Sequence, residues 1–221
     1  MTGKAPVRIV MIEGPECVGK SSIFRALRRR VSDPTLDFIH ELPSYVGRRF
    51  PLGTGATLES EVALLTMNGV LMEKFRQVLE CGHRAISDRC WISQTVYARV
   101  RQRLLSRYAF DAGLFVHQEN VLFALYSDIL RNGAIVYVDV PPAVSLVRLE
   151  RRKGKSRINH NPDLRWTQAA CEEYRRYFET LETNRRIQFQ RINGMGSRQV
   201  VLGRFVKACS ELGFCLSICD S

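Results

Sequence analysis

Residues 14 to 22 read Gly14-Pro15-Glu16-Cys17-Val18-Gly19-Lys20-Ser21-Ser22 and come just after the mostly apolar run Val7 to Ile12. Few arrangements of backbone satisfy this stretch. Gly14 and Gly19 let the chain curl so that successive amide N–H groups point inward at oxygen anions. A helix beginning at Lys20 adds the positive end of its dipole to the same spot. Lys20 contributes a point charge for β- and γ-phosphates, and Ser21 a hydroxyl ligand for magnesium. Gly14 to Ser22 is therefore the expected ATP-binding loop. It demands a strand before it and a helix after it, and both patterns are present. Glu16 is the oddity, a carboxylate inside a loop built for anions.

The rest of the chain alternates in the same way. Strands are expected at Val7 to Glu13, Leu36 to His40, Arg84 to Asp88, Ala134 to Val140 and Arg186 to Ile192. Helices are expected over Lys20 to Val31, Glu59 to Glu80, most of 91–131 with a break near Asp111 to Gly113, 143–153, 163–183, and Gln199 to Leu212. Leu64, Leu65, Val70, Leu71, Phe75 and Val78 form the apolar positions of the long helix, which Cys81-Gly82 stops. A Pro- and Gly-marked loop runs through Gly55, and Phe214 to Cys219 reads as a last strand or a tail. Such alternation implies an α/β fold of three layers, with a central parallel sheet of about five strands and helices on both faces. Ligands in such sheets bind beyond the carboxyl ends of the strands. The 221 residues suit one domain, 1–221, since single cores grow to about 250 residues before splitting.

Seven scattered cysteines without a CxxC pair argue against a zinc site and for reduced thiols in the cytoplasm or another reducing compartment. No apolar run approaches the roughly 18 residues of a membrane span, and no signal peptide is expected. The net charge of +11 admits nucleic acid, acidic membranes or phosphorylated small molecules as partners. Position decides between them. Arg28-Arg29-Arg30 is read as a helix end, where cations favour the dipole. The second basic run, Arg148 to Arg157, lacks interleaved aromatics and a recognisable module, so neither nucleic acid nor membrane is expected as a partner.

Ile86-Ser87-Asp88-Arg89 places an acid and a guanidinium at a strand end. Asp88 is a candidate to hold magnesium through water, and Arg89 to grip a phosphate through two parallel hydrogen bonds. A plain Asp-Arg salt bridge is the alternative. A guanine-reading Asn-Lys-x-Asp segment is missing, which sets the GTPases aside. Val136-Tyr137-Val138-Asp139 leaves a P-loop ATPase open, and a non-catalytic nucleotide-binding module is a further alternative.

From about residue 7 to 183 the chain resembles the thymidylate and deoxynucleoside kinases. "DRCWISQTVYA", Asp88 to Ala98, resembles the thymidylate kinase signature Asp-Arg-x-x-x-Ser-x-x-x-Tyr. Glu16 matches the acid of their phosphate loop, and "VDVPPAVSLVRLERRKGKSRI" resembles their strand, proline turn and basic lid, here about 148–160. The resemblance implies a P-loop kinase that transfers phosphate from Mg-ATP to a pyrimidine deoxynucleotide, most nearly dTMP to dTDP, in dTTP synthesis. It implies that Glu16 binds the acceptor sugar, that Arg89 and Ser93 serve the acceptor phosphate, and that lid cations steady the migrating group. With Cys17 and Val18 neutral, Arg148, Arg152 and Arg157 are the lid candidates beside the catalytic Lys20 and Arg89. Family members are often dimers, so a homodimer is expected as an option.

Two positions depart from the thymidylate kinase pattern. The long helix carries Leu64 and Asn68 where that group has a stacking Phe and a phosphate-holding Arg. Asn68 offers an amide to a pyrimidine edge instead, as deoxynucleoside kinases do with a glutamine in this region. "IHELPSY" is similar to the Glu-Pro segment of those kinases, which casts Glu41 as a base for the 5′-hydroxyl. Arg48 and Arg49 are further candidates for an acceptor-phosphate contact. Thymidine or another deoxynucleoside is therefore the alternative acceptor.

Overall fold

The computed structural model describes residues 6–41, 58–105, 111–151, 164–184 and 187–218. The expectations for Arg48, Arg49, Arg152, Arg157 and Cys219 fall outside these residues, as does most of the loop leading to Gly55. In chain order the elements are β1 (Ile9–Glu13), α1 (Lys20–Arg30), β2 (Leu36–Ile39), α2 (Leu58–Glu80), β3 (Arg84–Asp88), α3 (Ile92–Leu104), α4 (Gly113–Leu125), α5 (Ser127–Arg131), β4 (Gly133–Asp139), α6 (Pro142–Glu150), α7 (Leu164–Asn184), β5 (Gln188–Asn193) and α8 (Arg198–Glu211).

The five strands form one sheet in the order β2-β3-β1-β4-β5, and every pair is parallel. Parallel sheets need cover on both faces, and the side chains divide accordingly. Ile9, Met11, Ile135 and Tyr137 face one layer with Phe75, Trp91, Val96, Leu122, Tyr174 and Phe178. Their strand neighbours Val10, Ile12, Val136 and Val138 face the other with Phe24, Leu27, Val201 and Phe205. The period of two along each strand thus builds two cores, giving the expected three layers.

The helix boundaries follow local chemistry. α1 buries Ile23, Phe24 and Leu27, and its last turn carries Arg28, Arg29 and Arg30, where cations favour the dipole. α2 ends as expected at Gly82, whose φ of 76° needs no β-carbon. One expectation within α2 fails. Val70 is 49% exposed, whereas Met72 is buried beside Leu71 and Phe75. Val70 lies off the 68-71-72-75 stripe that the helical repeat turns inward. The stretch 214–218 is a tail and not a strand. Register aligns the strand ends, with Ile12 opposite both Asp88 and Val136, and Asp139 opposite Asn193. Glu13, Asp88 and Asp139 therefore gather at one edge of the sheet. No helix of the described residues is long and apolar enough to cross a membrane, and no two described cysteines are bonded to one another.

Candidate active site

The loop after β1 is wound through backbone conformations that glycine tolerates best. Gly14 has φ 143° and Gly19, the residue before α1, has φ 113°, while Cys17 sits at φ 57°. A β-carbon on Gly14 would lie 2.4 Å from the carbonyl oxygen of Val138 on β4. That oxygen belongs to a central strand and cannot retreat cheaply. Gly14→Ala is therefore expected to cost about 3 kcal/mol or more of stability, measured by urea unfolding; an unchanged midpoint would contradict the close approach.

Lys20 turns back over the loop and donates to the carbonyls of Gly14 and Pro15. It is 4% exposed. Burial first, and then Arg89, lowers its pKa to about 7, against the opposing pull of Glu13, Asp88 and Glu41. The loop is braced from α6. Ser145 Oγ donates to the Glu16 carbonyl, and Arg148 donates to the carbonyls of Val18 (3.1 Å) and Gly194 (3.0 Å). Arg148, expected among the lid cations, is thus engaged with backbone carbonyls on the outside of the loop. Ser22 lies in the first turn of α1, its N–H bonded to the Gly19 carbonyl at 2.9 Å.

β3 lies beside β1, so Asp88 and Arg89 arrive next to the loop. Asp88 is 7% exposed, and its Oδ1 has no hydrogen-bond partner among the described residues. A buried carboxylate oxygen without a donor, within electrostatic reach of Lys20, fits a hard divalent cation. Ser21 and Asp88 would hold magnesium, which would offset charge on the ATP phosphates.

Arg89 has φ 77°, an uncommon conformation for a residue with a side chain. Its N–H bonds the Ile12 carbonyl at 3.1 Å, and its own carbonyl accepts from Ser87 Oγ at 2.8 Å. The strained turn aims the guanidinium across the site. Its Nε lies 2.8 Å from Glu41 and its Nη1 2.9 Å from Ser93 Oγ. Tyr97 stands over it, with the guanidinium 5.8 Å from the ring centre. Burial first, and then Glu16, pushes the Tyr97 phenol well up, against the opposing pull of Arg89. Glu16 is therefore in electrostatic reach of α3.

Asn68 is buried and donates to Gln118 Oε1 at 2.8 Å, and its own Oδ1 has no partner among the described residues. It belongs to the seam between α2 and α4. The structure thus brings together Lys20, Arg89, Ser93, Asp88 and Glu41. Sequence reasoning passed over Glu13, Ser145 and Tyr174, whereas Tyr97 is the tyrosine of the Asp88–Ala98 signature. Glu13 left a signal, since it is an acid ending a strand that is otherwise apolar.

This architecture is the fold of the P-loop nucleoside and nucleotide kinases. Deoxyadenosine kinase from M. mycoides with bound dATP matches with a TM-score of 0.63 at 11% identity, over 92% of this chain and 99% of that one. Its structure with bound dCTP matches at 0.61 with the same identity and coverage. Thymidylate kinase from Candida albicans matches at 0.62 and 14% identity, over 97% of this chain and 99% of that one. No family model and no curated protein matches the sequence.

Proposed function

We propose that the chain transfers the γ-phosphoryl group of ATP to a pyrimidine deoxynucleoside monophosphate, with dTMP as the preferred acceptor. The observation that carries this reading is the adjacency of two phosphate-binding cations. Lys20 follows the end of β1 and Arg89 follows the end of its neighbour β3, close enough that Arg89 lowers the Lys20 pKa. Phosphoryl transfer needs two anionic ligands held in line and their charge offset, and little covalent work from the protein. In this reading the loop amides, Lys20 and Ser21 hold the donor, Asp88 helps to organise magnesium, and Arg89 bridges donor and acceptor phosphates. Glu16 takes the sugar hydroxyl. In the same reading Arg152 and Arg157 steady the charge of the migrating group, and Arg148 braces the loop.

A second reading has its own observation. Glu41 sits 2.8 Å from Arg89 Nε. A carboxylate there repels an acceptor phosphate and is placed to take the proton of a 5′-hydroxyl. The acceptor is then the deoxynucleoside itself.

A coupled ADP assay with ATP plus thymidine, deoxycytidine, deoxyadenosine, dTMP, dCMP or no acceptor separates these readings. Turnover with dTMP and none with thymidine is expected. Glu41→Gln adds a second measurement. It should leave dTMP turnover within about threefold, whereas a proton-abstracting role would lower kcat about 10²-fold or more. Acceptor-independent hydrolysis would mark an ATPase and overturn both readings.

A further inference from the structure

β1 is apolar except for its last residue, and that residue is wholly buried. A buried carboxylate is tolerated when its oxygens are paired. Glu13 draws its donors from four places. Oε1 accepts from the N–H of Cys90 at 2.7 Å, and Oε2 from the N–H of Gly14 at 3.2 Å. Ser93 Oγ reaches both oxygens, at 3.1 and 2.9 Å, and the Tyr174 hydroxyl lies 3.2 Å from Oε2. Each of these donors is a backbone N–H or a hydroxyl, so among the described residues the carboxylate is held without a direct cation.

The two hydroxyls have a second neighbour. Arg89 Nη1 donates to Ser93 Oγ at 2.9 Å and to the Tyr174 oxygen at 3.4 Å, and the two hydroxyl oxygens are 2.9 Å apart. Each hydroxyl carries one hydrogen. A carboxylate only accepts, so the Ser93 hydrogen turns to Glu13, and that of Tyr174 turns to Glu13 or to Ser93. Lone pairs of both oxygens are thereby left for the guanidinium, which has no acceptor of its own. The same carboxylate holds the N–H of Cys90, the residue that follows the strained φ of Arg89.

We infer that Glu13 is a positioning residue for Arg89: through Ser93 and Tyr174 it fixes the direction of a buried hydroxyl relay, and through Cys90 it fixes the turn from which the guanidinium projects. This rests on the proposed function for its kinetic consequence, since Arg89 is the group placed between donor and acceptor. The hydrogen-bond argument itself stands on geometry alone. Glu13→Gln keeps the shape of the side chain and introduces a donor. The amide N–H would then face Ser93, Tyr174 and the Gly14 N–H, where it competes with the Arg89 guanidinium for the lone pairs of the two hydroxyls and leaves the Ser93 hydrogen only the one remaining carbonyl oxygen.

Three variants test the relay: Glu13→Gln, the pair Ser93→Ala with Tyr174→Phe, and the combination of all three changes. Glu13→Gln is expected to lower acceptor kcat/KM by about 10- to 50-fold with ATP affinity within about threefold. The hydroxyl pair should lose a comparable factor. The combination should be no worse than the larger of the two, because one relay is broken once. Multiplying effects would overturn the proposal, as would unchanged acceptor kinetics in Glu13→Gln. The Ser93→Ala/Tyr174→Phe pair removes two oxygens and leaves the buried acid in place. It therefore carries the test should Glu13→Gln fail to fold, and acceptor kinetics unchanged in that pair would be equally fatal.

A readout independent of turnover comes from nitrogen-detected NMR of the Arg89 guanidinium. Its rotation about Cζ–Nε should be slow in the unaltered protein and at least tenfold faster in each variant. Equal rotation in all would sink the relay even if the protein is a kinase. Slow rotation that the variants release, in a protein that transfers phosphate to none of the acceptors, would sustain the relay and defeat the functional reading.

Discussion

Arg89→Lys is expected to lower kcat/KM for the acceptor by about 10²- to 10³-fold, with ATP affinity changed by less than about threefold. The loss follows from how the guanidinium is held. Its backbone is locked at φ 77° by Ile12 and Ser87, so the side chain leaves the turn in one direction. Its Nε edge meets Glu41 and its Nη1 meets Ser93. A planar fork satisfies two edges at once and still presents a donor to a phosphate oxygen. An ammonium group is a single point on a flexible stem, and it satisfies one partner at the expense of the other. Misplacement of this order costs about 10²-fold in a reaction governed by positioning. Initial rates at varied acceptor concentration, paired with a fluorescent-ATP titration, make the measurement. A lysine enzyme within threefold of the original would show that charge alone suffices and that the fork is irrelevant.

The parts of this arrangement differ in how readable they are from the chain. The loop was legible because its glycines carry a backbone requirement, which φ values of 143° and 113° display directly. Asp88 and Arg89 were legible because an adjacent acid and guanidinium at a strand end, with Ser93 and Tyr97 at the following spacing, match a phosphate-handling signature. The strand order β2-β3-β1-β4-β5 was not, since parallel neighbours are chosen by contacts far apart in sequence. Glu13 escaped notice because an acid after four apolar residues reads as the end of a strand and not as the centre of a hydrogen-bonded cluster. Tyr174 was hidden on the inward face of α7 among Ala170, Tyr177 and Phe178, where an aromatic reads as core. Arg148 was read from a basic run as part of a lid. Only the packing of α6 against the loop shows that its guanidinium spans two backbone carbonyls. What sequence misses here is the set of polar groups whose partners lie on other elements.

Lys20→Met is expected to abolish measurable transfer, by about 10³-fold or more, and at the same time to make the protein more stable at neutral pH. The two effects share one cause. Lys20 is buried, and burial with Arg89 nearby lowers its pKa from an ordinary 10.5 to about 7. Such a fall is worth on the order of 4 kcal/mol against the folded state. Losing the hydrogen bonds to the Gly14 and Pro15 carbonyls returns about 2 kcal/mol of that, which leaves a net gain of about 1–3 kcal/mol. The sign has a pH signature. Below pH 7 the unfolded chain and the folded protein both carry the proton, and the full cost is present. Between about pH 7 and 10.5 the folded protein has released it and the unfolded chain has not, so the unaltered protein gains stability as pH rises. The advantage of Lys20→Met should therefore be largest below pH 7 and fade toward pH 10. Urea unfolding of both proteins at pH 6.5, 8 and 9.5 measures it. A difference that stays flat across this range would mean that Lys20 folds with its charge already compensated, and that no polyphosphate is needed to stabilise it.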